Sequence, residues 1–503
     1  MIVRVVRRLL RRLLLIAVVA LVAIIGVRIW TIESGPPLEL WHTYVPHELS
    51  PAQMDASSFA DYRKAEDGLL AEVRSAVVEK IAPADYKPTN RYFAGSPVNP
   101  DRFATNWNRS FELEPDGPVA GAAVFLHGLT DAPFSLRHLA ELYRDRGFVA
   151  IGIRLPGHGT VPAGLTNVSW QDWMAAVRLA MREARAKAGP DKPVHLIGYS
   201  NGGALALLYV LDAIEDGSLT KPSRLVLLSP MIGVTRFARF AGLAGLPALL
   251  PAFAKAAWLD ILPEFNPFKY NSFPVNAARQ SYAVTREVQD RFARLQASGK
   301  LSALPPILTF QSILDSTVST AAVIDQIYQR LPGNGSELVL FDINRHTALG
   351  LLFRPQSDTA LERLLPEAPR DYKLTVVANR DPSTDEVVAR VTEAGAKVET
   401  VVPTGDRWSP DAYSLSHVAL PFPTEDGLYG GDPDPADNFG VKIGKISAHG
   451  ERGALIVSLD WLLRMSWNPF FDLVRARVSE ALPPAGVPQQ QPPAAVAAPA
   501  AIP

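Results

Sequence analysis

From residue 120 onward, short apolar runs alternate with stretches whose apolar residues recur every three to four positions. The runs Ala120–Leu126, Phe148–Ile153, Val194–Ile197, Leu225–Leu228 and Ile307–Leu314 are too continuous for half-exposed strands and too short for helices. Leu136–Arg146, Trp170–Ala188 and Gly202–Ile214 carry the helical period between them. Strands apolar on both faces, alternating with helices, predict an α/β fold: a mostly parallel sheet with helices on both faces. The rhythm continues with strand candidates at Glu337–Ile343 and Leu374–Ala378. Residues 421–440, rich in Pro, Asp and Gly, predict a long loop, and Trp461–Leu482 predicts a last helix interrupted at Pro469. From Pro483 the chain is almost entirely Pro, Gln and Ala, which predicts disorder.

Two segments break this rhythm. Between Pro230 and Pro305 the chain inserts far more residues than a crossover needs. The insert holds an uncharged stretch, Phe240–Ala254, broken by Pro247 and Pro251, and then the aromatics Trp258, Phe265, Phe268, Tyr270 and Phe273. A helical cap over the sheet's C-terminal edge, lined for an apolar substrate, is the expectation. Ahead of the sheet, residues 33–118 predict one helix around Pro51–Ile81 and short strands near Arg91 and Phe111. The expected division is an N-terminal anchor (1–32), an extension (33–118), a first core part (119–230), a cap (231–306), a second core part with a C-terminal extension (307–482), and a tail (483–503).

The anchor is inferred from charge. Arg4, Arg7, Arg8, Arg11 and Arg12 precede the uncharged run Leu13–Val27, and Arg28 is followed by Ile29, Trp30, Thr31 and Ile32. Twenty residues of helix from 13 to 32 would extend roughly 30 Å, about one bilayer core. A cleaved signal would need a small-x-small site, but Ala17, Ala20 and Ala23 are spaced by three. A single-pass anchor with the N-terminus cytoplasmic and the remainder across the membrane follows from the flanking arginines.

Composition narrows the partners. Fifty Lys+Arg against 51 Asp+Glu leave a net charge of -1, so nothing global points to nucleic acid. With no cysteine, disulfides, thiolate metal sites and a cysteine nucleophile are excluded.

The strongest chemical signal is Gly198-Tyr199-Ser200-Asn201-Gly202, between an apolar strand and a helical stretch. A serine on so sharp a turn needs small neighbours. The turn lifts its hydroxyl above the sheet edge and aims a helix N-terminus at developing negative charge. His127-Gly128-Leu129-Thr130 closes the first strand, where a loop amide can join the amide after the nucleophile in holding an oxyanion. Those two amides belong to Leu129 and Asn201. His127 and His158, the latter in Leu155-Pro156-Gly157-His158-Gly159, are expected to be structural loop residues.

The run from His127 to Pro133, the loop Arg154–Gly159 and the turn around Ser200 together resemble the α/β-hydrolase superfamily. The resemblance covers roughly residues 119–420 and is strongest to capped bacterial carboxylesterases and monoacylglycerol-lipase-like enzymes. It implies an acid after the strand that follows the cap, matched by Asp315, which can also cap a helix without losing that role. It leaves two candidates for the base. His346 follows the strand Glu337–Ile343, the family's usual place. His417 lies in Tyr413–Pro423, which with Asp426–Gly430 resembles a C-terminal signature of anchored bacterial hydrolases. His417 is preferred, at the cost of about seventy residues inserted between acid and base.

The expected activity is therefore cleavage of a small-molecule or lipid ester through Ser200, His417 and Asp315, with no metal or organic cofactor. The setting expected from the anchor is the periplasmic face of a bacterial inner membrane. An acyltransferase, an aminopeptidase and a catalytically silent scaffold are the alternatives, the second disfavoured because Asp260 and Glu264 are the only acids between Pro230 and Arg286.

Overall fold

The structure, a computed structural model, describes residues 2–233, 251–346, 353–446 and 458–484. Twelve strands occur among them. β1 (Phe111–Leu113), β2 (Gly121–Leu126), β3 (Phe148–Ile153), β4 (Val194–Tyr199) and β5 (Arg224–Leu228) come first, then β6 (Trp258–Asp260) and β7 (Phe273–Pro274). β8 (Ile307–Ser312), β9 (Glu337–Phe341), β10 (Lys373–Asn379), β11 (Glu386–Thr392) and β12 (Thr400–Arg407) follow. Ten form one sheet in the order β1-β3-β2-β4-β5-β8-β9-β10-β11-β12, while β6 and β7 pair separately.

From β3 to β10 every pairing in that sheet is parallel; β1, β11 and β12 join antiparallel. The seven strands predicted from residue 120 onward are this parallel run, each within a residue or two of its expected ends. β2, β3 and β4 are buried at every position, as strands covered on both faces must be. Ala122, Val124 and Leu126 of β2 face one core and Ala123 and Phe125 the other. The first core is covered by helices Trp170–Ala188, Asn201–Glu215 and Val275–Ala297. Arg137–Asp145 and Phe471–Ser479 cover the second. Val275–Ala297 buries Val284, Val288, Phe292 and Leu295 in the first core. It is thus the crossover leading from the insert back to β8. The uncharged stretch expected at Phe240–Ala254 falls, up to residue 250, outside the described residues.

Several expectations change. Arg91 is in a turn, not a strand; its buried guanidinium donates to the Asn266 carbonyl and to Asn108 Oδ1, each at 3.1 Å. The helix expected around Pro51–Ile81 divides into Pro51–Ala56 and Phe59–Ala76, each started by a serine in a capping box. Tyr62 on the second donates its hydroxyl to the Arg154 carbonyl at 2.8 Å, while the Arg154 guanidinium bonds Glu66 and Glu48. This extension braces the sheet. The last helix is two, Leu459–Leu463 and Phe471–Ser479, separated around Pro469.

Residues 2–33 form a single helix, but among the described residues no helix is long and apolar enough to cross a membrane. This overturns the single-pass anchor and the inner-membrane, periplasmic placement that rested on it. The uncharged run Leu13–Val27 is only fifteen residues between Arg12 and Arg28. Such a run extends about 22 Å against a core of about 30 Å.

Candidate active site

In sheet order β2 has β3 on one side and β4 on the other, so the chain reverses direction across the sheet between β2 and β4. The loops leaving such a point diverge and open a crevice at the strands' C-terminal ends. Residues 127–132 leave β2 there, and Ser200 leaves β4.

Ser200 is a non-glycine residue at φ 54°, ψ -115°. That strained turn is held by close backbone packing: the Ser200 amide donates to the Leu228 carbonyl at 3.0 Å, and the Met231 amide donates to the Ser200 carbonyl at 3.0 Å. A Cβ on Gly202 would overlap the carbonyl oxygens of Leu126 and His127, and one on Gly198 would overlap Gly202. Glycine is required at both. The helix Asn201–Glu215 starts directly beyond the serine. The amides of Leu129 and Asn201 are engaged by no other group among the described residues.

Asp315 follows β8, and its carboxylate is the meeting point of four donors. The amides of Thr317 and Val318 bond Oδ1 at 2.8 and 3.0 Å. Gln311 Nε2 and His417 Nδ1 reach Oδ2 at 3.1 and 2.8 Å. Burial alone would raise this carboxyl's pKa; the His417 ring and the two amides outweigh it and hold the pKa below the ordinary value. His417 arrives from beyond β12, and its own carbonyl accepts from the Tyr199 hydroxyl at 3.2 Å. His346 follows β9 as expected but does not line the cavity that Ser200 and His417 share.

The other histidines have different work. His127 Nδ1 donates to the Gly128 carbonyl at 2.9 Å, and Nε2 accepts from the Leu155 amide at 3.1 Å, so both ring nitrogens are used in joining two loops. His158 packs edge-on against that ring, and burial pushes its pKa down to about 3. Both are neutral structural groups, as expected from their turn-rich settings.

Ser200, His417, Leu129 and Thr317 border a cavity of about 320 Å³, otherwise walled mainly by apolar side chains. Sequence reasoning missed two of its residues, Lys269 and Arg464. Lys269 is the lone cation in the aromatic run from Phe265 to Phe273, which was a usable signal. It also missed the packing of residues 421–440. Without helix or strand, this loop buries Phe422, Leu428, Tyr429 and Phe439 in a cluster with Phe134 and Phe268. Asp426 anchors it, accepting from Arg137 at 2.7 Å, His138 at 3.0 Å and the Leu428 and Tyr429 amides.

Residues 117–350 match the model of the serine aminopeptidase S33 family, hydrolase 4. A thermostable monoacylglycerol lipase of Bacillus sp. strain H-257 is 25% identical over 234 residues, 46% of this chain and 84% of that protein. Phospholipase YtpA of Bacillus subtilis strain 168 is 29% identical over 120 residues, 24% of this chain and 43% of that protein. Among solved structures, the monoacylglycerol lipase of Paleococcus ferrophilus aligns with a TM-score of 0.35 at 17% identity, covering 51% of this chain and 97% of that one. The chain has the α/β-hydrolase fold, and it is an enzyme, a serine hydrolase.

Proposed function

We propose that this serine hydrolase cleaves carboxylic esters with an apolar acyl chain, by acyl transfer to Ser200 and then to water. The observation that carries the reading is the hydrogen bond from His417 Nδ1 to the buried Asp315 carboxylate, beside a cavity that His417 shares with Ser200. A carboxylate on Nδ1 leaves Nε2 as the basic nitrogen. Ser200 Oγ attacks the ester carbonyl while His417 accepts its proton. The oxyanion gathers charge that the Leu129 and Asn201 amides meet, and His417 returns the proton to the departing alcohol. Water then repeats the sequence on the acyl-enzyme. The mainly apolar wall, with Met231, Phe273, Val318 and Met465, suits an acyl chain, in keeping with the lipase relatives.

The test is labelling with a fluorophosphonate probe together with p-nitrophenyl ester turnover across chain lengths. The reading expects both to occur in the parent and both to vanish in Ser200→Ala. A folded parent that neither labels nor turns over would overturn it.

A further inference from the structure

The cavity beside Ser200 carries two cationic side chains, Lys269 and Arg464, and no carboxylate among the described residues that line it. Lys269 makes no hydrogen bond and no ion pair among the described residues, although it is enclosed enough that burial lowers its pKa. The acid that attracts it, Asp131, is itself buried and does not line the cavity. Arg464 stands at the end of the helix Leu459–Leu463 and touches Thr317 Oγ1 through one nitrogen; among the described residues it meets no carboxylate. Two buried arginines, Arg137 and Arg154, each hold two acids.

An ammonium at the wall of a cavity that holds no carboxylate favours a ligand that brings an anion. Lys269 also stands at a junction. With Thr130, Phe273 and Trp461 it borders both the cavity beside Ser200 and an adjoining, more polar one of about 430 Å³ whose lining includes Asp260, so an anion bound by Lys269 belongs on the Ser200 side. The apolar wall and the cations therefore divide the space between a hydrocarbon chain and a compact charged group.

Resting on the ester-hydrolase reading, we propose that the preferred substrate is an anionic amphiphile: an acyl ester whose alcohol carries a phosphate or carboxylate, bound by Lys269 and Arg464. Both groups offer the same charged oxygens to these donors.

The experiment compares kcat/KM for three lauroyl esters, those of glycerol, of glycerol 3-phosphate and of glyceric acid, in the full chain and in Lys269→Gln, Lys269→Arg and Arg464→Gln. The parent is expected to favour at least one anionic ester over the neutral one by about tenfold, an advantage that shrinks as salt rises. Lys269→Gln should collapse that ratio, mainly through KM, Arg464→Gln should reduce it, and Lys269→Arg should keep it. A parent without anionic preference, or a ratio unchanged in Lys269→Gln, overturns the proposal. Should Lys269→Gln fail to fold, the parent's ratio and its salt dependence decide. Calorimetric binding of dodecyl phosphate against dodecanol to Ser200→Ala separates this proposal from the hydrolase reading. Tighter binding of the phosphate in a protein that proves to lack turnover would support the anion site alone; equal binding would overturn it.

Discussion

His417 bonds Asp315 at 2.8 Å although the two are 102 positions apart and the strands β9, β10, β11 and β12 lie between them in the chain. The chain leaves the acid, completes the parallel run, adds an antiparallel pair at the sheet's edge, and returns to the C-terminal ends of the central strands. His346, much nearer in sequence, has no such approach to the shared cavity.

The first prediction follows directly. In p-nitrophenyl ester hydrolysis, Ser200→Ala and His417→Ala should each lower kcat by about 10⁴–10⁶-fold, and Asp315→Asn by about 10³–10⁴-fold. His346→Ala should keep most of its activity. A dead His346→Ala beside an active His417→Ala, both with parental circular dichroism, would transfer the base to the earlier loop.

Gly202→Ala tests the turn beneath the nucleophile. Its Cβ would meet backbone oxygens of β2 and the loop after it, which cannot rotate away as a side chain could. Denaturant unfolding should show a loss of about 1–3 kcal/mol, and fluorophosphonate labelling should slow sharply. Unchanged stability and labelling would mean that the two loops separate more easily than their packing indicates.

The pair Arg137–Asp426 is buried on both sides, with side chains 2% and 0% exposed. Burial opposes a charged carboxylate, but Arg137 and His138 hold Asp426 well below the usual carboxylate range. Removing the acid leaves the buried guanidinium with Asp437 alone and takes the acceptor from His138 and two buried amides, so Asp426→Ala should cost about 3 kcal/mol. Limited proteolysis should then cut within residues 421–440 faster than in the parent.

His42 gives a stability signature in acid. Burial lowers its pKa to about 4; its ring accepts from the Glu39 amide at Nδ1 and donates from Nε2 to Ser272 at 3.0 Å. A depressed folded-state pKa contributes stability that is complete above the unfolded value near 6.5 and lost as pH falls toward 4. The slope from this group approaches about 1.4 kcal/mol per pH unit. His42→Gln should flatten the fall of Tm between pH 6.5 and 4, whatever its effect at neutral pH. A parallel curve would remove His42 from the account.

What the chain determines by itself is whatever depends on neighbours in sequence. Continuous apolar runs specify β2, β3, β4, β5 and β8 because strands covered on both faces need no alternation. The glycines around Ser200 announce a turn whose crowding excludes any Cβ. β12 escaped detection for the opposite reason. β12 lies at the sheet's edge, where most of its residues are exposed and Pro403, Gly405 and Asp406 break any apolar pattern. The N-terminal helix was legible as a helix, but its fifteen-residue uncharged run did not make it a membrane span. The partner of Asp315, the burial of Asp426 against Arg137, and the position of Lys269 beside Ser200 were decided only in three dimensions. Each joins segments far apart in the chain, and a contact of that kind leaves no local period or spacing in the sequence.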